Sequence, residues 1–354
     1  MTTDRTPKKR HKLWRYLIIG ALAVGMYVAV ILTFFRTPKA SHWIDDDTYG
    51  NTKYFHFRSG KDAWNESLPL EPPQTVEDSY RLAIVEVDEF GDFFQSEKYK
   101  GRPEDYQLLC AKEMLVKAGS ANKKPVLLFL LVHGWRNDAS KEDETLTAFK
   151  MLLTRLAQSG WSRDYNSCGV YIGWRGASVK HGWFAFPAEI LSFWGRKTVA
   201  EKISSTCAST AIFGLIDTAR KVASDPEAKP SRIVLAGHSL GAGILMNSVS
   251  QALAYKFARA NSEKVDSGGP VVLESPADLI LLLNPAVESV YLRQLRTSMQ
   301  PIIRTNVYPW LVSLSSETDR VNKILFPIAQ WRVGSNARET PYFEVDRRNY
   351  KAQS

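Results

Sequence analysis

Apolar and polar positions alternate along this 354-residue chain in two different rhythms, and the rhythms themselves take turns. Tyr80 to Val87 reads as a strand. Pro103 to Gly119 reads as a helix with Leu108, Leu109, Met114 and Leu115 on one side. Val126 to Val132 is apolar throughout, the pattern expected of a strand covered on both faces of a parallel sheet. Thr145 to Gln158 is helical, Gly169 to Gly173 is a strand, and Val199 to Val222 reads as one long helix of small residues. Ile233 to Ala236 is a buried-strand run. After it Ile244, Leu245, Val249, Ala252, Leu253 and Phe257 recur at helical spacing. Ala277 to Leu283 and Val307 to Leu314 complete the series. Strand and helix alternate about seven times, which predicts an α/β domain with a mainly parallel sheet flanked by helices.

One run obeys neither rhythm. Tyr16 to Phe35 carries no charge over twenty residues, and a helix of that length spans about 30 Å, the thickness of the bilayer hydrocarbon. Composition is otherwise ordinary for a globular chain, at 44% hydrophobic and 23% charged. The net charge of +9 changes meaning once it is mapped. Residues 1–15 hold Arg5, Lys8, Lys9, Arg10, Lys12 and Arg15 against Asp4, so more than half of the excess lies in a short tail before the apolar run. That placement predicts a cytoplasmic N-terminus and gives little support to nucleic-acid binding. An uncleaved signal-anchor is favoured over a cleaved signal peptide, because Thr37-Pro38-Lys39-Ala40 is a poor cleavage site. The expected organisation is a basic tail at 1–15, a transmembrane anchor at 16–35 with membrane lipid as partner, a spacer at 36–78 with an edge strand near Lys53 to Phe57, and an α/β domain at 79–354. That domain then lies opposite the cytoplasm, in a bacterium on the periplasmic face of the inner membrane. Cys110, Cys168 and Cys207 have neither pairing nor metal spacing, and no metal or cofactor is implied.

Candidate chemistry begins where the 233–236 strand stops, at Gly237-His238-Ser239-Leu240-Gly241. A strand, a sharp turn and a helix around G-x-S-x-G make a nucleophile elbow, in which the flanking glycines let the turn close and lift the Ser239 hydroxyl clear of the sheet. A serine nucleophile needs a base, an acid to orient that base, and donors for the oxyanion. The Leu240 amide, directly after the serine, is one expected donor. Val132 runs into His133-Gly134-Trp135-Arg136, where Gly134 permits a turn that aims the Trp135 amide toward Ser239.

These segments together, an HG loop after a buried strand and a GHSLG elbow about a hundred residues later, resemble the α/β-hydrolase family. Tyr171-Ile172-Gly173-Trp174-Arg175-Gly176, Phe193-Trp194-Gly195-Arg196-Lys197 and Asn284-Pro285-Ala286 resemble a poorly characterised bacterial group of esterase- or lipase-like members within it. The likeness covers roughly residues 80–330 and is not specific for a substrate. It implies a serine hydrolase acting on a small acyl or ester substrate, with Asp319 at the triad-acid position after the 307–314 strand. Glu317 is the fallback; Asp278 and Glu288 are weaker candidates. The family order then asks for a histidine beyond the acid, and none of the six (His11, His42, His56, His133, His181, His238) lies there. Three explanations compete: a C-terminal segment carrying the histidine is missing, the protein is a catalytically impaired binding or scaffolding relative, or a histidine elsewhere substitutes. The first is favoured, and His181 is the substitute with a suitable position. Trp174, Trp183, Phe184, Phe186, Phe193 and Trp194 form an aromatic-rich insertion that serves equally well as an acyl-pocket wall or as core cover.

Overall fold

The computed structural model describes residues 41–44, 56–58, 80–95, 103–176, 186–222, 229–267, 275–287 and 311–316, with isolated helical positions at 20, 21 and 25. The strands are β1 (His56–Arg58), β2 (Tyr80–Val87), β3 (Val126–Val132), β4 (Asn166–Trp174), β5 (Arg232–His238), β6 (Leu279–Leu283) and β7 (Leu311–Leu314). The helices are α1 (Tyr106–Asn122), α2 (Glu144–Ala157), α3 (Phe186–Ser204), α4 (Cys207–Val222) and α5 (Leu240–Ser267). The seven described strands join one sheet in the order β1-β2-β4-β3-β5-β6-β7. β1 is an antiparallel edge strand against β2; every other pairing is parallel. The architecture is therefore α/β with a mainly parallel sheet.

Period-2 alternation in the central strands feeds two cores. Leu128, Leu130, Val170 and Ile172 face the helical layer of α1, α4 and α5, against Met114, Leu115, Ile212, Leu215, Ile244 and Leu245. Leu131, Tyr171 and Ala236 face the other way, against Leu146, Phe149, Leu153 and Ala157 of α2. Gly169 of β4 makes room there, since a Cβ on it would lie 2.3 Å from Leu153 Cδ1. The start of α2 is fixed by Asp143, whose carboxylate accepts from the Thr145 and Leu146 amides, as an N-cap residue should.

Two differences from the sequence reading have physical causes. The expected single helix over 199–222 is two helices, α3 and α4, parted at Ser204-Ser205-Thr206. There the hydroxyls donate back to the carbonyls of Glu201, Lys202 and Ile203. Such local bonds compete with helix continuation. Second, residues 41–44, read as spacer, pack against the domain: Trp43 and Ile44 are buried and Trp43 joins the α2-side core. The three cysteines are buried and not joined in a disulfide, and burial pushes the thiols of Cys168 and Cys207 up to about 12. Among the described residues no helix is long and apolar enough to cross a membrane; the expected span at 16–35 lies outside them.

The connections place the site. The chain leaves β3 through α2 toward β4, and leaves β5 through α5 toward β6, so the two crossovers run in opposite directions from neighbouring strands. Right-handed crossovers then put α2 and α5 on opposite faces. The crevice between the carboxyl ends of β3 and β5 is the switch point where open α/β sheets take ligands.

Candidate active site

Ser239 stands at that crevice, immediately after β5, with φ at 53°. A left-handed backbone on a serine is strained, and the surroundings hold it there. Its amide donates to Leu283 O at 2.9 Å, and its carbonyl accepts from Ala242 N at 3.1 Å and Ala286 N at 3.1 Å. The elbow is thus clasped by the end of β6 and the Asn284-Pro285-Ala286 segment. Close approach explains the glycines. A Cβ on Gly241 would lie 2.3 Å from both the Val132 and His133 carbonyl oxygens, and one on Gly237 would lie 2.5 Å from Ala242 Cα. A Cβ on Gly134 would lie 2.7 Å from His238 O and 2.9 Å from Ser239 Cβ. The loop after β3 therefore rests directly on the serine and on His238.

Leu240 is the first residue of α5, where a helix amide has no intrahelical acceptor. Trp135 follows Gly134 in the loop; its ring is buried edge-on against Phe193 at 5.3 Å, with the Arg136 guanidinium 4.7 Å from the ring centroid. Arg136 itself has φ at 74° and its amide donates to Gly176 O at 3.2 Å. Both expected oxyanion donors thus lie on the two segments that meet at Ser239.

His133 is fully buried and both its ring nitrogens are committed. The Trp174 amide donates to Nε2 at 2.9 Å, so Nδ1 carries the proton and donates to Gly134 O at 3.0 Å. The ring stacks between Tyr171 and Trp174, and the Trp174 indole donates to the His133 carbonyl at 2.7 Å. Burial lowers its pKa, against the opposing pull of Asp143. His133 is a neutral brace for the loop.

Of the acid candidates, Asp278 is at the wrong edge. It precedes β6, pairs with Arg232 and accepts from the Ile233 amide, so it closes the amino ends of β5 and β6. Asp319, Glu317, Glu288 and His181 lie outside the described residues. The start of the Asp319 loop is described: Ser316 N donates to Asn284 Oδ1 at 2.6 Å, and Asn284 N donates to Leu314 O at 2.7 Å. That loop thus leaves β7 beside the segment that clasps Ser239. His56 is in the edge strand β1.

Of the aromatic insertion, Trp174 and Phe193 are core; Trp183, Phe184 and the side chains of Phe186 and Trp194 lie outside the described residues. A cleft of about 20 Å³ beneath the elbow is lined by Leu240, Gly243, Asn247 and Ala286. It has room for a water, not an acyl chain. No group of His, Cys, Asp and Glu able to hold a metal occurs among the described residues.

Sequence reasoning missed two polar clusters at the carboxyl ends of β2 and β4. Glu86, buried in β2, accepts from the Ser41 hydroxyl, the His42 and Trp43 amides at 2.9 and 3.1 Å, and Gln107 Nε2 at 3.1 Å. His42 Nδ1 lies 3.2 Å from the same carboxylate, which raises the imidazole pKa. Trp43 Nε1 donates to Ala139 O at 2.6 Å, in the loop that also carries Trp135. The signal was there: an acid inside the apolar run Tyr80 to Val87 needs partners. The second cluster is Glu89 between Arg175 and Arg196, at 3.5 and 3.1 Å. No family model matches the chain, and no curated protein matches it.

Proposed function

We propose that this chain is a membrane-anchored serine hydrolase of the α/β-hydrolase fold, cleaving an ester or related acyl bond through an acyl-enzyme on Ser239. The observation that carries the reading is the strained Ser239, held at a sheet switch point with the Gly134 loop against its Cβ. Ser239 Oγ attacks the carbonyl carbon and passes its proton to a base. The oxyanion rests on the Trp135 and Leu240 amides, fixed donors that match the charge as it develops. The alcohol leaves with a proton, and water then attacks the acyl-serine to release the acid. Asp319 orients the base. The apolar run at 16–35 holds the domain to the membrane on the face opposite the cytoplasm, the periplasmic side in a bacterium.

One observation favours the alternative, a non-catalytic binding or scaffolding protein on this fold: His133 and His42 are committed to partners other than Ser239. Turnover separates the two. The full chain should hydrolyse short-chain nitrophenyl esters, and Ser239→Ala should lower kcat by about 10³-fold or more. Hydrolysis at the same rate by wild type and Ser239→Ala would remove Ser239 from the chemistry.

A further inference from the structure

Two tracts singled out in the sequence, Gly173-Trp174-Arg175-Gly176 and Phe193-Trp194-Gly195-Arg196, converge in the fold. Arg175 directly follows β4, Arg196 lies in α3, and both reach Glu89 in the turn after β2. Arg196 Nη1 also donates to the Arg175 carbonyl at 3.1 Å. The side chains are only 10% and 14% exposed. Glu89 spends one oxygen on each guanidinium, so among the described residues this trio carries a net single positive charge. Its donors are not all used: Arg175 Nη2 and Arg196 Nε are buried and have no hydrogen-bond partner among the described residues. Guanidinium stays protonated and offers donors only, and a buried N–H without an acceptor is costly. An arrangement with surplus charge and two idle donors is complete only when an acceptor arrives.

Its position says which acceptor matters. Gly176, next to Arg175, takes the Arg136 amide, and Phe193, three residues before Arg196, packs on Trp135. Both arginines are thereby tied to the loop that rests on Ser239, at the sheet edge where ligands bind. We infer that Arg175 and Arg196 form a subsite for a phosphate-type oxyanion on the ligand. A phosphate presents oxygens in several directions, so one group accepts from both guanidiniums, and its charge matches the surplus. The subsite holds its anion whether or not Ser239 is a nucleophile, so its test is separate from that of the hydrolase reading.

Calorimetric titration of inorganic phosphate into the full-length Ser239→Ala protein in neutral detergent is the experiment. Saturable one-to-one binding is expected, weakened at least about tenfold by Arg175→Lys or Arg196→Lys, which keep charge but lose the fork of donors. Lys202→Gln, on the exposed face of the same helix, should leave it unchanged. Competition by glycerol phosphate marks a soluble phosphate ester as the source. Competition only by micelles containing phosphatidylglycerol marks a lipid headgroup. Circular dichroism of each variant confirms that it is folded. The inference fails if the folded protein shows no saturable phosphate binding, or if both lysine variants bind as the parent does.

Discussion

The carboxyl edge of the sheet has two halves that are built differently. At β3 and β5 the structure is made of backbone: positive φ at Ser239, glycines where carbonyls crowd within 3 Å, and a neutral His133 with both nitrogens spent. At β2 and β4 it is made of charge: Glu86 surrounded by donors from 41–43 and Gln107, and Glu89 shared by two arginines. The first half presents an atom; the second secures a segment and leaves donors over. Rigid presentation and ionic recognition sit side by side, joined through the 133–139 loop, which touches Ser239 at one end and Trp43 at the other.

Breaking each half should therefore cost stability in a different way. Gly241→Ala drives a methyl into two backbone carbonyls that cannot swing aside, and about 3 kcal/mol of destabilisation is expected in denaturant unfolding. An unchanged midpoint would mean that the elbow is not packed as tightly as described. Glu86→Ala strands the amides of His42 and Trp43 and should cost about 2 to 3 kcal/mol. It should also release residues 41–44 to limited proteolysis, whereas Gly241→Ala should not do so selectively. The smallest effect is the most diagnostic. The folded pKa of His42 is raised by its bond to Glu86. Its contribution is thus complete below pH 6.5 and lost as pH climbs through the raised value, by under about 1 kcal/mol for a partly exposed pair. His133 has the opposite sign: its lowered pKa gives stability present above pH 6.5 and lost as pH falls. His42→Gln should flatten the alkaline limb of a melting-temperature profile and leave the acid limb intact.

These two halves were not equally legible. The elbow, the Gly134 loop and the alternation of strands and helices are short-range patterns. β2 and β3 coincide with their predicted bounds, and Gly237, Gly241 and Gly134 stand where backbone crossings require them. The fully apolar Val126 to Val132, expected to be covered on both faces, has a core on each side. The charged half joins residues 21 to 107 positions apart, such as Gln107 with Glu86 or Glu89 with Arg196, and no local periodicity encodes such meetings. The break between α3 and α4 was hidden for another reason: serine and threonine are tolerated in helices until their hydroxyls find carbonyls. Asp278, a weaker acid candidate from the outset, lies before β6 and so at the amino edge of a parallel sheet, the end opposite Ser239.

The central claim is that Ser239 is a nucleophile and not merely a residue in a tight turn. It is tested most directly by treating the full chain with a fluorophosphonate probe and mapping the adduct by mass spectrometry. A single adduct on the peptide containing Ser239, abolished by Ser239→Ala, is the predicted result. A folded protein that takes no label, or takes the same label after Ser239→Ala, contradicts the account.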